Sequence, residues 1–136
     1  MKQKRFNPPA LTRLASTGHF SSAVRVGDMI WVSGTVGVTP DGQPADGMAA
    51  QTRLAFENLK AVLEEAGATL ADVVELVTYH TALLDELRVF FRIKDEFFPA
   101  DFPAWTAVGV TQLASPGLLV EIRAVAVAGS GGPSLN

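Results

Sequence analysis

Residues Phe102–Val127 read FPAWTAVGVTQLASPGLLVEIRAVAV, and this stretch decides the fold. Ala104–Val110 and Leu118–Val127 are short apolar runs rich in valine, leucine and isoleucine, the composition and length of strands. Ser115-Pro116-Gly117 separates them with turn chemistry, because proline presets its φ and glycine accepts positive φ. Glu121 sits inside the second run, between Val120 and Ile122. A carboxylate in an apolar strand calls for a partner, a shifted pKa or a functional role.

Upstream, Val24–Val32 reads VRVGDMIWV, two strand-like runs around Gly27-Asp28, and predicts a hairpin with a first strand from His19 to Val26 and a second from Met29 to Gly34. Asn7-Pro8-Pro9 predicts an extended leader, since proline disfavours helix there. From Met48 to Ala66 apolar residues recur at helical spacing, with Leu59, Val62 and Leu63 on one face and Arg53, Glu57, Lys60 and Glu64 on the other; Gly67 stops the helix. Thr69 with Asp72 suggests a capped turn. Val73–Ala82 alternates as a strand, with Leu76, Thr78 and His80 on one side and Glu75, Val77 and Tyr79 on the other. Asp85 caps a second helix from Glu86 to Phe98, ended by Pro99.

The resulting order is β-β-α-β-α-β-β. Strands joined through helices lie parallel with right-handed crossovers, which puts both helices on one face of one sheet: an α+β, two-layer domain. One domain is expected over residues 1–128, followed by a flexible tail at 129–136 whose Gly-Ser-Gly-Gly-Pro composition gives nothing to pack.

The chain has 136 residues, 11 basic against 14 acidic, and a formal charge of −3. The only basic cluster, Lys2, Lys4 and Arg5, reads as a solvated, frayed terminus, so no nucleic-acid partner is expected. The low charged fraction of 18% leaves little polar cover for a lone subunit and points to self-association. Without cysteine there is no thiol nucleophile, disulfide or thiolate metal site. His19 and His80 stand far apart with no clustered carboxylates, so no metal and no cofactor are expected. No run has the length of a membrane span and no apolar segment follows the basic start, which predicts a cytoplasmic protein with no membrane partner.

Pro103-Ala104, the apolar residues after it, and Val120-Glu121-Ile122 resemble the C-terminal signature of the Rid superfamily (RidA/YjgF/L-PSP, reactive intermediate deaminases). Val32-Ser33-Gly34 is similar to that family's Ser-Gly strand end. Gln51-Thr52-Arg53, Asn58-Leu59 and Ala66-Gly67 resemble its first helix. The resemblance implies a chorismate-mutase-like fold and a homotrimer with inward-facing sheets and a ligand cleft between subunits. It also implies hydrolysis of an imine or enamine to a carbonyl compound and ammonia.

Carried over by position, Glu121 matches the glutamate that manages the attacking water, and Gly34 matches a pocket glycine. The family's substrate-binding arginine falls at Trp105, its pocket tyrosine at Phe20, and a polar residue of the second helix near Phe91. The expected pocket therefore has an acid and aromatic walls. Burial there should raise the pKa of Glu121, and the walls suit planar ligands or cations rather than a clamped small carboxylate. His19 adjoins Phe20 and is a candidate acid or base; His80, mid-strand, reads as a packed residue.

Each residue also has a plainer reading: Phe20, Phe91 and Trp105 as packing, and Glu121 as an ion pair with Arg123 on its own strand face. The exchange of arginine for Trp105 keeps open a non-catalytic, small-metabolite-binding or chaperone-like member. The family's older ribonuclease label finds no support in the charge pattern.

Overall fold

The computed structural model describes residues 1–132. In chain order the elements are β1 (Lys4–Phe6), a 3-10 turn at Pro9–Leu11, α1 (Thr12–Gly18), β2 (Ala23–Val26), β3 (Met29–Val36), α2 (Met48–Glu65), a 3-10 turn at Leu70–Asp72, β4 (Val73–His80), α3 (Leu83–Phe97), β5 (Ala104–Gly109) and β6 (Val120–Val127). The six strands make one sheet in the order β1-β2-β3-β6-β4-β5.

The last strand is inserted in the middle. β6 runs antiparallel to β3 on one side and to β4 on the other. β5, which precedes it in sequence, lies parallel to β4 at the sheet edge. The two apolar runs around Pro116-Gly117 are therefore separated by a strand. This follows from the parallel β4–α3–β5 crossover, which places β5 beside β4 and leaves the far side of β4 for β6.

Alternation assigns the two faces of the sheet. Val120, Ile122, Ala124 and Ala126 of β6 are buried toward the helices, as are Leu76, Thr78 and His80 of β4. α2 closes this face with Ala55, Phe56, Leu59, Val62 and Leu63, and α3 adds Phe90 and Ile93. Phe56 is the centre of an aromatic cluster, with ring centroids 5.6 Å from Phe90, 5.1 Å from Phe97 and 5.8 Å from Phe98. The opposite face has no covering layer among the described residues. Trp31 and Met29 of β3 stand exposed there, opposite Val125 and Val127 of β6.

Gln51 locks α2 to the chain around it. Its amide donates to the carbonyls of Ala45 and Gly117, and its carbonyl accepts from the Leu119 backbone N–H at 2.8 Å. Asn58 donates to the carbonyls of Val36 and Val38. These bonds satisfy backbone groups just before β6 and just after β3, where neither strand ladder reaches. At Thr69–Asp72 the expected capping box is present.

The N-terminus differs from the sequence reading. Lys4–Phe6 pairs antiparallel with Ala23–Arg25 rather than fraying, and lysine on such an edge strand discourages pairing with other chains. The expected extended leader turns at Pro9 into a short helix and then α1, so the strand predicted from His19 begins only at Ala23. Proline is tolerated at a first helical position because its missing N–H is not needed there. α3 begins at Leu83, earlier than Glu86, and Asp85 lies in its first turn rather than capping it; there it favours the positive end of the helix dipole. In the tail, Gly131 N–H donates to Asp72 Oδ1 at 2.8 Å; residues 133–136 lie outside the described part.

Replacing Phe56 by alanine removes the ring that all three neighbours share. A loss of about 3–5 kcal/mol is expected, read as a lower midpoint in urea denaturation with an unchanged slope.

Candidate functional site

Glu121 owes its setting to an irregularity in the neighbouring strand. Val32 of β3 stands opposite Ala124, but Thr35 stands opposite Ile122, so β3 carries one extra residue in the Ser33–Gly34 step. Such a bulge re-aims side chains and leaves backbone unpaired. On the side of β2, Ser33 bonds back to the preceding loop: its N–H donates to Ser22 O and its hydroxyl to Ser21 O at 2.6 Å.

Gly34 then presents a bare backbone to Glu121. A Cβ on Gly34 would lie 2.5 Å from Glu121 Cδ and closer still to Oε2. The glycine is required because the carboxyl occupies the volume of its missing side chain. Glu121 is half-buried, between Val36 of β3 and Tyr79 of β4. It makes no ion pair among the described residues. Arg123, its expected partner, is directed instead to Glu75 at 3.8 Å, with both side chains half-exposed. Burial without a counter-charge raises the pKa of Glu121 above the ordinary glutamate value.

Phe20 shares a small cavity with Gly34, Ser33 and Ser22, closed by Leu11 and Leu14 around α1. His19 is exposed in a left-handed conformation that ends α1. With Phe20, Arg5 and Ser33 it lines an open groove next to that cavity. Gly34 and Glu121 thus meet directly; Gly34 and Phe20 line one cavity, of which Glu121 is not a lining residue, and His19 stands just outside it.

Trp105 and Phe91 lie elsewhere in the chain. Trp105 pairs with Leu76 in register, which directs its indole to the helix side, whereas Glu121 pairs with Tyr79 on the open side. The sheet separates them within one subunit. The indole N–H donates to Thr78 Oγ1 at 2.9 Å, and the same hydroxyl meets His80 Nε2 at 2.8 Å. Phe91 is 48% exposed, with its ring centroid 5.7 Å from that of Trp105.

The sequence reading passed over Lys94. It is 4% exposed on α3. Its Nζ lies 4.5 Å from the Trp105 ring centroid, 5.5 Å from Phe91 and 5.8 Å from Phe102. The signal was available: Phe90, Ile93, Lys94 and Phe97 follow helical spacing, so a lysine occupies a position of the apolar face.

The fold is an α+β domain, one sheet backed by helices, with a half-buried carboxyl laid over a bulge glycine. The chain belongs to the endoribonuclease L-PSP family, the Rid superfamily that its sequence resembles; the family's model matches residues 10–128. It is 40% identical over 120 residues to the RutC family protein YjgH of Escherichia coli strain K12, covering 88% of this chain and 90% of that protein. It is 35% identical over 120 residues to a 2-iminobutanoate/2-iminopropanoate deaminase of Bos taurus, covering 85% and 84%. Among solved structures it is similar to protein YJGH, with a TM-score of 0.87 and 37% identity over 94% of this chain and 98% of that one. It is also similar to Rv2704 of Mycobacterium tuberculosis, with a TM-score of 0.81 and 35% identity over 93% and 100%. Among the described residues no helix is long and apolar enough to cross a membrane.

Two predictions follow from Glu121's surroundings. A carboxyl with a raised folded-state pKa binds its proton more tightly folded than unfolded, so stability falls as pH rises from the ordinary glutamate range through the folded value. Glu121→Gln should remove that fall: urea denaturation should find the variant more stable than the parent at pH 7 and the difference gone at pH 4. Gly34→Ala should cost about 1–3 kcal/mol by overpacking, and carboxyl-carbon NMR titration should show Glu121, displaced toward water, with a pKa returned toward the ordinary value.

Proposed function

We propose that the chain is an imine or enamine hydrolase that releases ammonia, with Glu121 as the group that manages the water. The observation that carries this is Glu121 itself, half-buried, unpaired and seated on Gly34. A carboxyl whose pKa is raised toward neutrality can take a proton in one step and return it in the next. Water adds to the C=N carbon as its proton passes to Glu121. The C–O bond forms while the C=N π-electrons move to nitrogen. The proton then goes to that nitrogen, giving a carbinolamine; Glu121 next takes the carbinolamine's hydroxyl proton and delivers it to the same nitrogen as the C=O bond forms and the C–N bond breaks, and a carbonyl compound and ammonia leave. The deaminase names among the relatives support the reaction class.

The working form in this reading is a homotrimer whose open sheet faces turn inward, with the ligand cleft between subunits. The exposure of Trp31 and Met29 on the uncovered face supports burial there. An intersubunit cleft would also let Trp105 and Phe91 of one subunit wall the acid of the next, with Phe20 and Gly34 beside it and His19 at the rim. The substrate suited to such walls is planar or aromatic.

One observation favours a second reading, a member that binds small metabolites without turning them over. Trp105 follows Pro103-Ala104 where the resemblance expects arginine, and its indole is tied inward to Thr78.

Ammonia release from 2-aminoacrylate-type and from aromatic enamine substrates decides between the two. Hydrolysis is expected, with kcat lowered about 10²–10⁴-fold in a folded Glu121→Gln variant. Folded, trimeric protein that frees no ammonia from either class rejects the hydrolase. Small imino-acid turnover appearing only in Trp105→Arg would establish the second reading.

A further inference from the structure

The chain after β6 is fastened, although its glycine-rich composition predicts a flexible tail. Asp72 is buried; it accepts the Gly131 N–H on Oδ1 at 2.8 Å and the Thr69 N–H on Oδ2 at 3.0 Å. Burial alone would raise the pKa of Asp72; the backbone N–H groups of Thr69, Gly131 and Gly129 lower it instead and keep the carboxylate charged at neutral pH. Ser130 donates its N–H and its hydroxyl to Val127 O. Gly131 lies so close to Ala71 that a Cβ on it would stand 2.8 Å from the Ala71 backbone. Residues 129–132 therefore form a strap held against the 3-10 turn at Leu70–Asp72.

The strap is one wall of a cavity. Gly132 lines it with Leu70, Val73, Phe97, Phe98, Pro99 and Asp101, around a space of about 230 Å³. An apolar cavity of about 150 Å³ already admits a benzene ring. Each wall is held separately. Phe56 backs the Phe97 and Phe98 rings, with centroids 5.1 and 5.8 Å away. Pro99 and Pro103 restrict the loop before β5, where Asp101 takes a left-handed conformation with φ 51°. The latched strap is the third wall. Walls fixed in advance spare a ligand the cost of ordering them. Asp101 is exposed, makes no ion pair among the described residues, and is the one charged residue lining this cavity.

We propose that this cavity between the strap and the C-terminal end of α3 is a separate small-molecule site, one that takes a single aromatic ring carrying a primary ammonium. The ring packs against Leu70, Val73 and the two phenylalanines. The ammonium stays at the mouth and donates to the Asp101 carboxylate in a charge-assisted hydrogen bond. The same carboxylate repels anions. Glu121, Gly34, Phe20, His19, Phe91 and Trp105 all lie outside the lining of this cavity. The site therefore rests neither on the proposed hydrolysis nor on the cleft between subunits.

Calorimetry on the full chain with benzylamine and benzyl alcohol tests this, because the two are alike in shape and only the amine is a cation at neutral pH. Benzylamine is expected to bind about tenfold more tightly. Asp101→Asn keeps a residue that accepts the left-handed backbone and should abolish that preference. Gly131→Ala pushes the strap away from Ala71 and should weaken both ligands about threefold or more. A second measurement needs no substitution: in amide NMR of the unmutated protein, Ala100, Asp101 and Gly132 should shift with benzylamine while Gly34 and Glu121 stay still. Absence of benzylamine binding, a preference that persists in Asp101→Asn, affinities indifferent to Gly131→Ala, or shifts at Glu121 with none at Gly132 each overturns the assignment.

Discussion

β6 is paired on both edges, to β3 and to β4, and the rest of the molecule is arranged by that double pairing. Away from the register shifts in its two pairings, a strand with two partners has its backbone donors and acceptors spent in ladders, so its side chains are fixed to the pitch of the pleat. Ile122, Ala124 and Ala126 then have to face α2, and Glu121 and Arg123 have to face away. A slip of one residue would put a glutamate and an arginine into the core. The register is therefore held by hydrophobic burial on one face and by the cost of burying charge on the other.

Fixing β6 makes the bulge on β3 consequential. Without the extra residue at Ser33–Gly34, some side chain of β3 would lie against Glu121. With it, a glycine does, and the carboxyl rests against backbone instead of reaching into water. Burial, unpaired charge and raised pKa have one cause, an irregular step in a neighbouring strand. On its other side, Ser33 fastens the loop that carries Phe20.

Much of this was legible in the sequence. The hairpin at Gly27-Asp28, the Met48–Glu65 helix and the alternation of Val73–His80 are strong periodic signals, and Glu121 stands out because it breaks one. β1 and α1 were not legible because they are short and bury little: α1 encloses only Ala15, and β1 has Phe6 alone at its inner end. Their order comes from pairing and packing with distant segments. The bulge was hidden for a similar reason. Ser33-Gly34 looks like an ordinary strand end until the register of β6 is known. Sequence spacing also gave no means of telling that β4 lies between β5 and β6, so it could not place Trp105 and Glu121 on opposite faces.

The polar residues behind Trp105 show why its indole is a fixed wall rather than a mobile one. Thr78 Oγ1 accepts the indole N–H and shares its remaining hydrogen-bonding capacity with His80 Nε2. Whichever neutral tautomer His80 adopts, Nδ1 is enclosed without a partner. Charging the ring would leave an unpaired N–H beside Phe90, whose ring meets the imidazole edge-on at 4.7 Å. Burial accordingly lowers the His80 pKa and keeps it neutral. Rotating Trp105 outward would strip Thr78 of its donor as well, in a region where a lost partner costs about 1–3 kcal/mol. The indole is thus held from behind by a neutral polar chain and in front by a cation, Lys94. A residue so constrained can shape what binds beside it without moving to meet it.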